Sequence, residues 1–193
     1  MESKFGFVSL SGRTNVGKST LLNAFFQKKI AITSRKPQTT RNRILGILTE
    51  EKSQIVFLDT PGVHLGYKRQ LNKVMNKIAS HCYEEVDLVL FLIDRFKWQK
   101  EEENILKSLK NLNKPVVLVI NKIDRLRDKT KLLAFIKDIS EKFNFLSIVP
   151  ISALKKDNLM ELKSVILNNL EIGPYHFPAV SYTHLTLPTI LPV

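Results

Sequence analysis

The chain has 193 residues, enough for one domain with a substantial core and too few for two full-sized ones. A single cysteine, Cys82, excludes an internal disulfide, and the longest apolar run, Leu88 to Ile93, is far short of the roughly 20 residues that a membrane helix needs. Lys and Arg outnumber Asp and Glu by 30 to 18, and the net charge of +12 suggests a polyanionic partner, nucleic acid first, although the lysines are scattered along helices. The N-terminus carries no signal-peptide pattern, so a cytoplasmic protein is expected.

In chain order, residues 5–10 read as a strand and run into Gly12-Arg13-Thr14-Asn15-Val16-Gly17-Lys18-Ser19, ahead of a helix over 19–26. The octet fits G-x-x-x-x-G-K-[ST] between strand and helix, where successive backbone N–H groups and a helix N-terminus form a concave phosphate site. Gly12 and Gly17 let backbone approach without a Cβ in the way. Lys18 brings positive charge to the outer phosphates, Ser19 offers a hydroxyl to Mg²⁺, and Thr20 completes the phosphate-binding run.

A weaker strand over 44–49, expected at an edge, precedes one over 54–58 that ends in Asp59-Thr60-Pro61-Gly62. A carboxylate there can hold Mg²⁺ through a water, and the Gly62 N–H can touch a γ-phosphate, making the next loop sensitive to that group. A helix over 71–82, a strand over 88–93 and a helix over 101–112 follow. The strand over 116–120 ends in Asn121-Lys122-Ile123-Asp124. The Asp124 carboxylate can accept from the N1–H and 2-amino edge of guanine, whereas adenine has no matching donors and would leave it unpaired. Asn121 and Lys122 would brace this loop and cover the base. A helix over 131–143 and a strand over 147–151 lead to Ser152-Ala153-Leu154, where a backbone N–H could reach the guanine O6. In the last helix, 159–170, Leu159, Leu162, Ile166 and Leu170 recur at helical spacing.

Strand and helix alternating this way predict a doubly wound α/β domain with a mostly parallel six-stranded sheet, helices on both faces, and ligands at the carboxyl ends of the strands. Four motifs at four strand ends on that one edge point to GTP and GDP. The run Lys100–Glu103 is expected to be a solvated helix start, and Trp98 to pack rather than stack on bases.

Beyond the motifs, residues 5–178 resemble the Era branch of the TrmE–Era group of P-loop GTPases. The similarity is carried by Ile32-Thr33-Ser34-Arg35-Lys36-Pro37-Gln38-Thr39-Thr40-Arg41, by Asp59-Thr60-Pro61-Gly62-Val63-His64, by Trp98 with its acidic cluster, and by residues 144–153. Gly173-Pro174-Tyr175-His176-Phe177-Pro178 resembles the family's linker to a second domain. The resemblance implies Thr40, rather than its neighbour Thr39, as the switch threonine on Mg²⁺. It also implies a GTPase acting on 16S rRNA in small-subunit assembly through a C-terminal KH domain. Asn15 matches the P-loop asparagine that the group associates with K⁺. One departure is Thr14, where the family usually has Pro; it alters loop stiffness and removes no phosphate donor. Other members of the group, acting on tRNA or as tandem-domain ribosome GTPases, share the P-loop, but Trp98 and residues 144–153 favour the Era branch. A nucleotide-binding module without RNA function is the remaining alternative. So basic a chain is also compatible with peripheral contact at the inner membrane, although no amphipathic helix demands it.

Val63, after Asp-Thr-Pro-Gly, can neither donate nor accept a hydrogen bond from its side chain, so the water-orienting glutamine of Ras-type enzymes is missing. His64 as a base and Arg41 or Arg43 as an arginine finger are weaker candidates than solvated side chains. The domain is expected over 1–172, with a linker beginning over 173–179. Residues 180–189 are translated letter for letter by GTC TCT TAT ACA CAT CTG ACG CTG CCG ACG, which resembles the transposon-end adapter of sequencing libraries. A non-native tail over 180–193, from adapter read-through, is therefore expected.

Overall fold

The computed structural model describes residues 3–26, 43–59, 86–126, 128 and 130–177, with the side chains of Arg43 and Asp59 outside that description. Six expected strands form: β1 Lys4–Ser11, β2 Arg43–Glu50, β3 Ser53–Asp59, β4 Leu88–Asp94, β5 Val116–Asn121 and β6 Ser147–Pro150. A two-residue strand, β7 Glu171–Ile172, makes the sheet seven-stranded rather than six. The order β2-β3-β1-β4-β5-β6 is parallel except where β2 runs antiparallel to β3 and β7 to β1.

β1 has a composite outer edge. β7 pairs with Lys4 and Phe5, and β4 pairs from Val8 onward. Between them Asp87 donates its N–H to the Phe7 carbonyl and accepts the Phe7 N–H on its carboxylate at 2.7 Å. The central strand therefore leaves no stretch of ladder unmatched.

Both faces of the sheet are covered, which explains the nearly continuous apolar strands. In β4, Leu88, Leu90 and Leu92 join one core with Leu21 and Leu22 of helix α1 (Lys18–Phe26) and with Leu159, Leu162 and Ile166 of helix α4 (Leu159–Asn168). The alternating Val89, Phe91 and Ile93 join the opposite core with Ile105, Leu106 and Leu109 of helix α2 (Lys100–Lys110) and Ile139 of helix α3 (Thr130–Ser140). Each such aliphatic side chain contributes about 1.5–3 kcal/mol by leaving water. β6 lies at an edge, and only Val149 among its residues is fully buried.

Helix α2 begins at Lys100 with Lys100, Glu101 and Glu103 exposed, as expected of a solvated start, and Glu102 is the one exception. Glu102 is buried to 1% exposure, and one of its carboxylate oxygens caps the helix by accepting the Gln99 N–H at 2.9 Å. The other lies 2.9 Å from the Arg13 guanidinium of the phosphate loop. A partner almost 90 residues away removes the desolvation objection that local sequence raises against burying a glutamate.

Candidate functional site

The phosphate loop links β1 to α1, and its backbone is built on positive φ at three places: Gly12 (+140°), Asn15 (62°) and Gly17 (+104°). Glycine is required at both ends for two reasons. Its φ there is one that L side chains rarely adopt, and a Cβ would overlap the Leu92 carbonyl at Gly12 and the Asn121 side-chain nitrogen at Gly17. Lys18 folds back over the loop, its Nζ donating to the carbonyls of Gly12 (2.6 Å) and Arg13 (2.8 Å). Thr14, Asn15, Ser19 and Thr20 are exposed at the mouth, while Val16 is buried beneath. The Arg13 side chain turns away from the loop to Gln99 and Glu102 of the α2 start.

The guanine motif at the end of β5 is tied directly to this loop. Asn121, 2% exposed, donates from Nδ2 to the Val16 carbonyl at 2.8 Å, and its Oδ1 accepts from the N–H groups of Lys122 and Ala153. Lys122, at φ 63°, extends its Nζ to the Asn15 carbonyl at 2.6 Å and to Asp94 at 2.9 Å. Asp124 is exposed in the short 3-10 turn Ile123–Arg125, and its Oδ1 accepts from the Ser152 hydroxyl at 2.6 Å. That hydroxyl in turn accepts the Lys155 N–H, which fixes the turn containing Ala153 and Leu154. One Asp124 oxygen is thus held by Ser152, while the residue as a whole remains exposed. The Ala153 N–H is already engaged by Asn121, so a base oxygen there would share that donor.

Sequence reading missed Asp94 at the end of β4, on the same edge. Its only local signal is an acidic residue closing an apolar strand. Burial pushes its carboxyl up, but hydrogen bonds and charge from Arg95 and Lys122 outweigh that and hold it below the ordinary value of 3.8. Thr40, with Thr39 and Arg41, and Thr60, Pro61, Gly62, Val63 and His64 lie outside the described residues, as do the helix expected over 71–82 with Cys82 and everything from Pro178 onward. Asp59 is described in backbone only: it ends β3 beside Leu10, just before the phosphate loop.

The family model described as 50S ribosome-binding GTPase matches residues 7–122, from the middle of β1 through Lys122. The chain belongs to that family. Among curated relatives of this GTPase family, it is 50% identical over 173 residues to GTPase Era of Haemophilus influenzae, which covers 90% of this chain and 57% of that protein. To GTPase Era of Pasteurella multocida it is 47% identical, over 90% of this chain and 56% of the other. The chain thus spans little more than half the length of these relatives. Among solved structures it matches Era in complex with MgGDPNP and nucleotides 1506–1542 of 16S ribosomal RNA, with 43% identity, a TM-score of 0.77, and coverage of 95% of this chain and 63% of that one. The G domain of the Thermotoga maritima FeoB iron transporter matches at 26% identity and a TM-score of 0.61, over 86% of this chain and 98% of that one. Among the described residues no helix is long and apolar enough to cross a membrane.

Proposed function

We propose that this chain is a switch that binds GTP and GDP with Mg²⁺ and hydrolyses GTP to GDP and phosphate. The observation that carries the reading is the pair of bonds from Asn121 and Lys122 to the carbonyls of Val16 and Asn15, which join a guanine-reading loop to a phosphate-binding loop. Phosphoryl transfer to water needs positioned positive charge more than a strong base. Lys18 supplies such charge at the loop, within reach of terminal phosphates, and the Gly62 N–H and Thr40 extend the set on the γ side. The exposed Ser19 hydroxyl, with Asp59 at the end of β3 and Thr40, is a set of hard oxygen donors that fits Mg²⁺. Bound there, the ion would neutralise phosphate charge. With Val63 unable to orient water, intrinsic hydrolysis is expected to be slow and raised by a partner or by K⁺ near Asn15. Hydrolysis equally fast in Na⁺ and K⁺ buffers would remove the K⁺ part of the proposal.

Guanine selectivity rests on the Asp124 carboxylate. Replacing it with an amide exchanges an acceptor for a donor, which suits the 2-oxo group of xanthine rather than the 2-amino group of guanine. Asp124→Asn is expected to weaken GDP binding by about 100-fold or more and to improve XDP binding. Fluorescence titration with both nucleotides checks this, and unchanged GDP affinity would sink the assignment.

For the client, we infer small-subunit rRNA. A relative of 43% identity is solved with a 16S fragment, and +12 suits a polyanion, while the family description names the 50S particle. Cosedimentation with purified 30S and 50S subunits in GTP discriminates the two. We also infer that the KH domain of the Era branch belongs to the part of the relatives this chain does not span, and that residues 180–193 are non-native. Resequencing across codon 179 without a transposon adapter tests this: a frame continuing into a G-x-x-G segment supports it, and a genuine Val180–Val193 followed by a stop favours a nucleotide-binding module without RNA function. A cytoplasmic site of action, with peripheral contact at the inner membrane as an addition, fits the same reading.

A further inference from the structure

Five non-glycine residues of the described chain have positive φ; two of them, Arg95 and Lys122, bond one buried carboxylate, and a third, Asn15, accepts from the same Lys122 ammonium. Asp94, 6% exposed, receives Lys122 Nζ on Oδ2 at 2.9 Å and Arg95 Nε on Oδ1 at 2.8 Å. The same Lys122 ammonium donates to the Asn15 carbonyl at 2.6 Å, and the Arg95 N–H donates to the Asn121 carbonyl at 3.0 Å. Left-handed backbone at non-glycine residues costs free energy, and its convergence on one contact point marks a constrained arrangement.

From this geometry we propose that Asp94 is a positioning residue that sets the lifetime of the bound nucleotide by holding the Lys122 ammonium between the guanine loop and the phosphate loop. An ammonium on a four-carbon stem has many rotamers, and a buried carboxylate selects the one that reaches the Asn15 carbonyl. With that strut in place, the two loops must open together for the nucleotide to leave. Without it, Lys122 returns to solvent and the two loops are joined only by the Asn121 bond to the Val16 carbonyl, which makes opening easier. Asp94 bonds the same Nζ that reaches the Asn15 carbonyl and touches no phosphate, so it acts on GDP and GTP alike. The inference rests on the nucleotide-binding reading and adds to it a residue that touches no part of the ligand.

The test is a double-mutant cycle on the full chain, read as release rates of N-methylanthraniloyl-GDP and -GTP. Asp94→Asn should speed release of both by about tenfold, in equal proportion, for loss of one charge-assisted bond. Lys122→Met should speed release at least as much, and the double variant should be no faster than Lys122→Met within twofold. Multiplicative effects of the two substitutions, or an Asp94→Asn rate equal to wild type, would overturn the role of Asp94. If Asp94→Asn does not fold, Asp94→Glu, which keeps the charge but displaces it, runs the same cycle under the same criterion. Wild-type chain that fails to bind either nucleotide would overturn the nucleotide reading itself, an outcome distinct from binding with independent variants.

Discussion

At the level of single residues, the site depends on side chains that bond to distant backbone as well as to one another. Asn121 spans from the Val16 carbonyl to the Ala153 N–H, so one buried amide fixes the spacing of the phosphate loop, the guanine loop and the turn after β6. Its motif was legible because its residue types and spacing are local. The partner that holds Lys122 was not, since Asp94 lies 28 residues away and becomes adjacent only through the β4–β5 pairing of Asp94 with Asn121. That carboxylate leads to a pH prediction. Its folded pKa is lowered below 3.8, so its contribution to stability is present above that value and is lost as pH falls through the lower, folded value. Asp94→Asn should therefore cost about 1–3 kcal/mol at neutral pH, with the gap to wild type narrowing below about pH 4. Urea unfolding of both proteins across that range checks it, and a gap independent of pH would contradict the ion-pair account.

Secondary-structure elements were legible in proportion to how deeply they are buried. β4 and β5 are apolar up to their last residues, Asp94 and Asn121, because helices cover both their faces, and even the weaker edge strand β2 showed in its β-branched pattern. β7 gave no signal: it is two exposed residues, set in place by pairing with Lys4 and Phe5. Glu102 looked solvated because nothing nearby in sequence reveals Arg13. Gly46 marks a further constraint between elements. It sits where the β2–β3 register shifts, and a Cβ there would overlap the Phe26 ring, which packs edge-on against Phe57 at a centroid distance of 5.8 Å. Phe26 is buried at the end of α1, so its ring would have to repack against Phe57 to make room. Gly46→Ala is expected to destabilise the domain by about 1–3 kcal/mol, while Gly173→Ala, where a Cβ meets nothing within 4 Å, should change stability by less than about 0.5 kcal/mol. Thermal unfolding of the two variants in parallel checks the contrast.

Across the whole molecule, the nucleotide site and the C-terminal segment occupy opposite poles of the sheet. The site gathers the carboxyl ends of β1, β4, β5 and β6, whereas residues 171–177 are fastened at the other end of β1 and to the β2–β3 hairpin. Gly173 bonds to Ser3 in both directions, the Tyr175 hydroxyl donates to the Glu50 carbonyl at 2.7 Å, and His176 stacks on Phe5. Gln54, fully buried, donates to the Phe177 carbonyl at 2.8 Å and accepts the Phe177 N–H at 3.0 Å, so one side chain imitates a strand partner. The segment that sequence reading took for a linker is therefore held against the domain at least as far as Phe177. Gln54→Leu keeps the volume and removes both bonds to Phe177 together with the Nε2 bond to Thr49 Oγ1, leaving the Phe177 N–H and carbonyl to find water. The expected result is a loss of about 1–3 kcal/mol in unfolding free energy and faster hydrogen exchange at the Phe177 amide. GDP affinity should stay within twofold of wild type, because Gln54 lies near the amino end of β3, about 16 Å of strand away from Asp59. Slow exchange at Phe177 in the variant would mean that His176 and Tyr175 hold the segment unaided. A matching fall in GDP affinity would instead mean that the two poles are energetically coupled through β3.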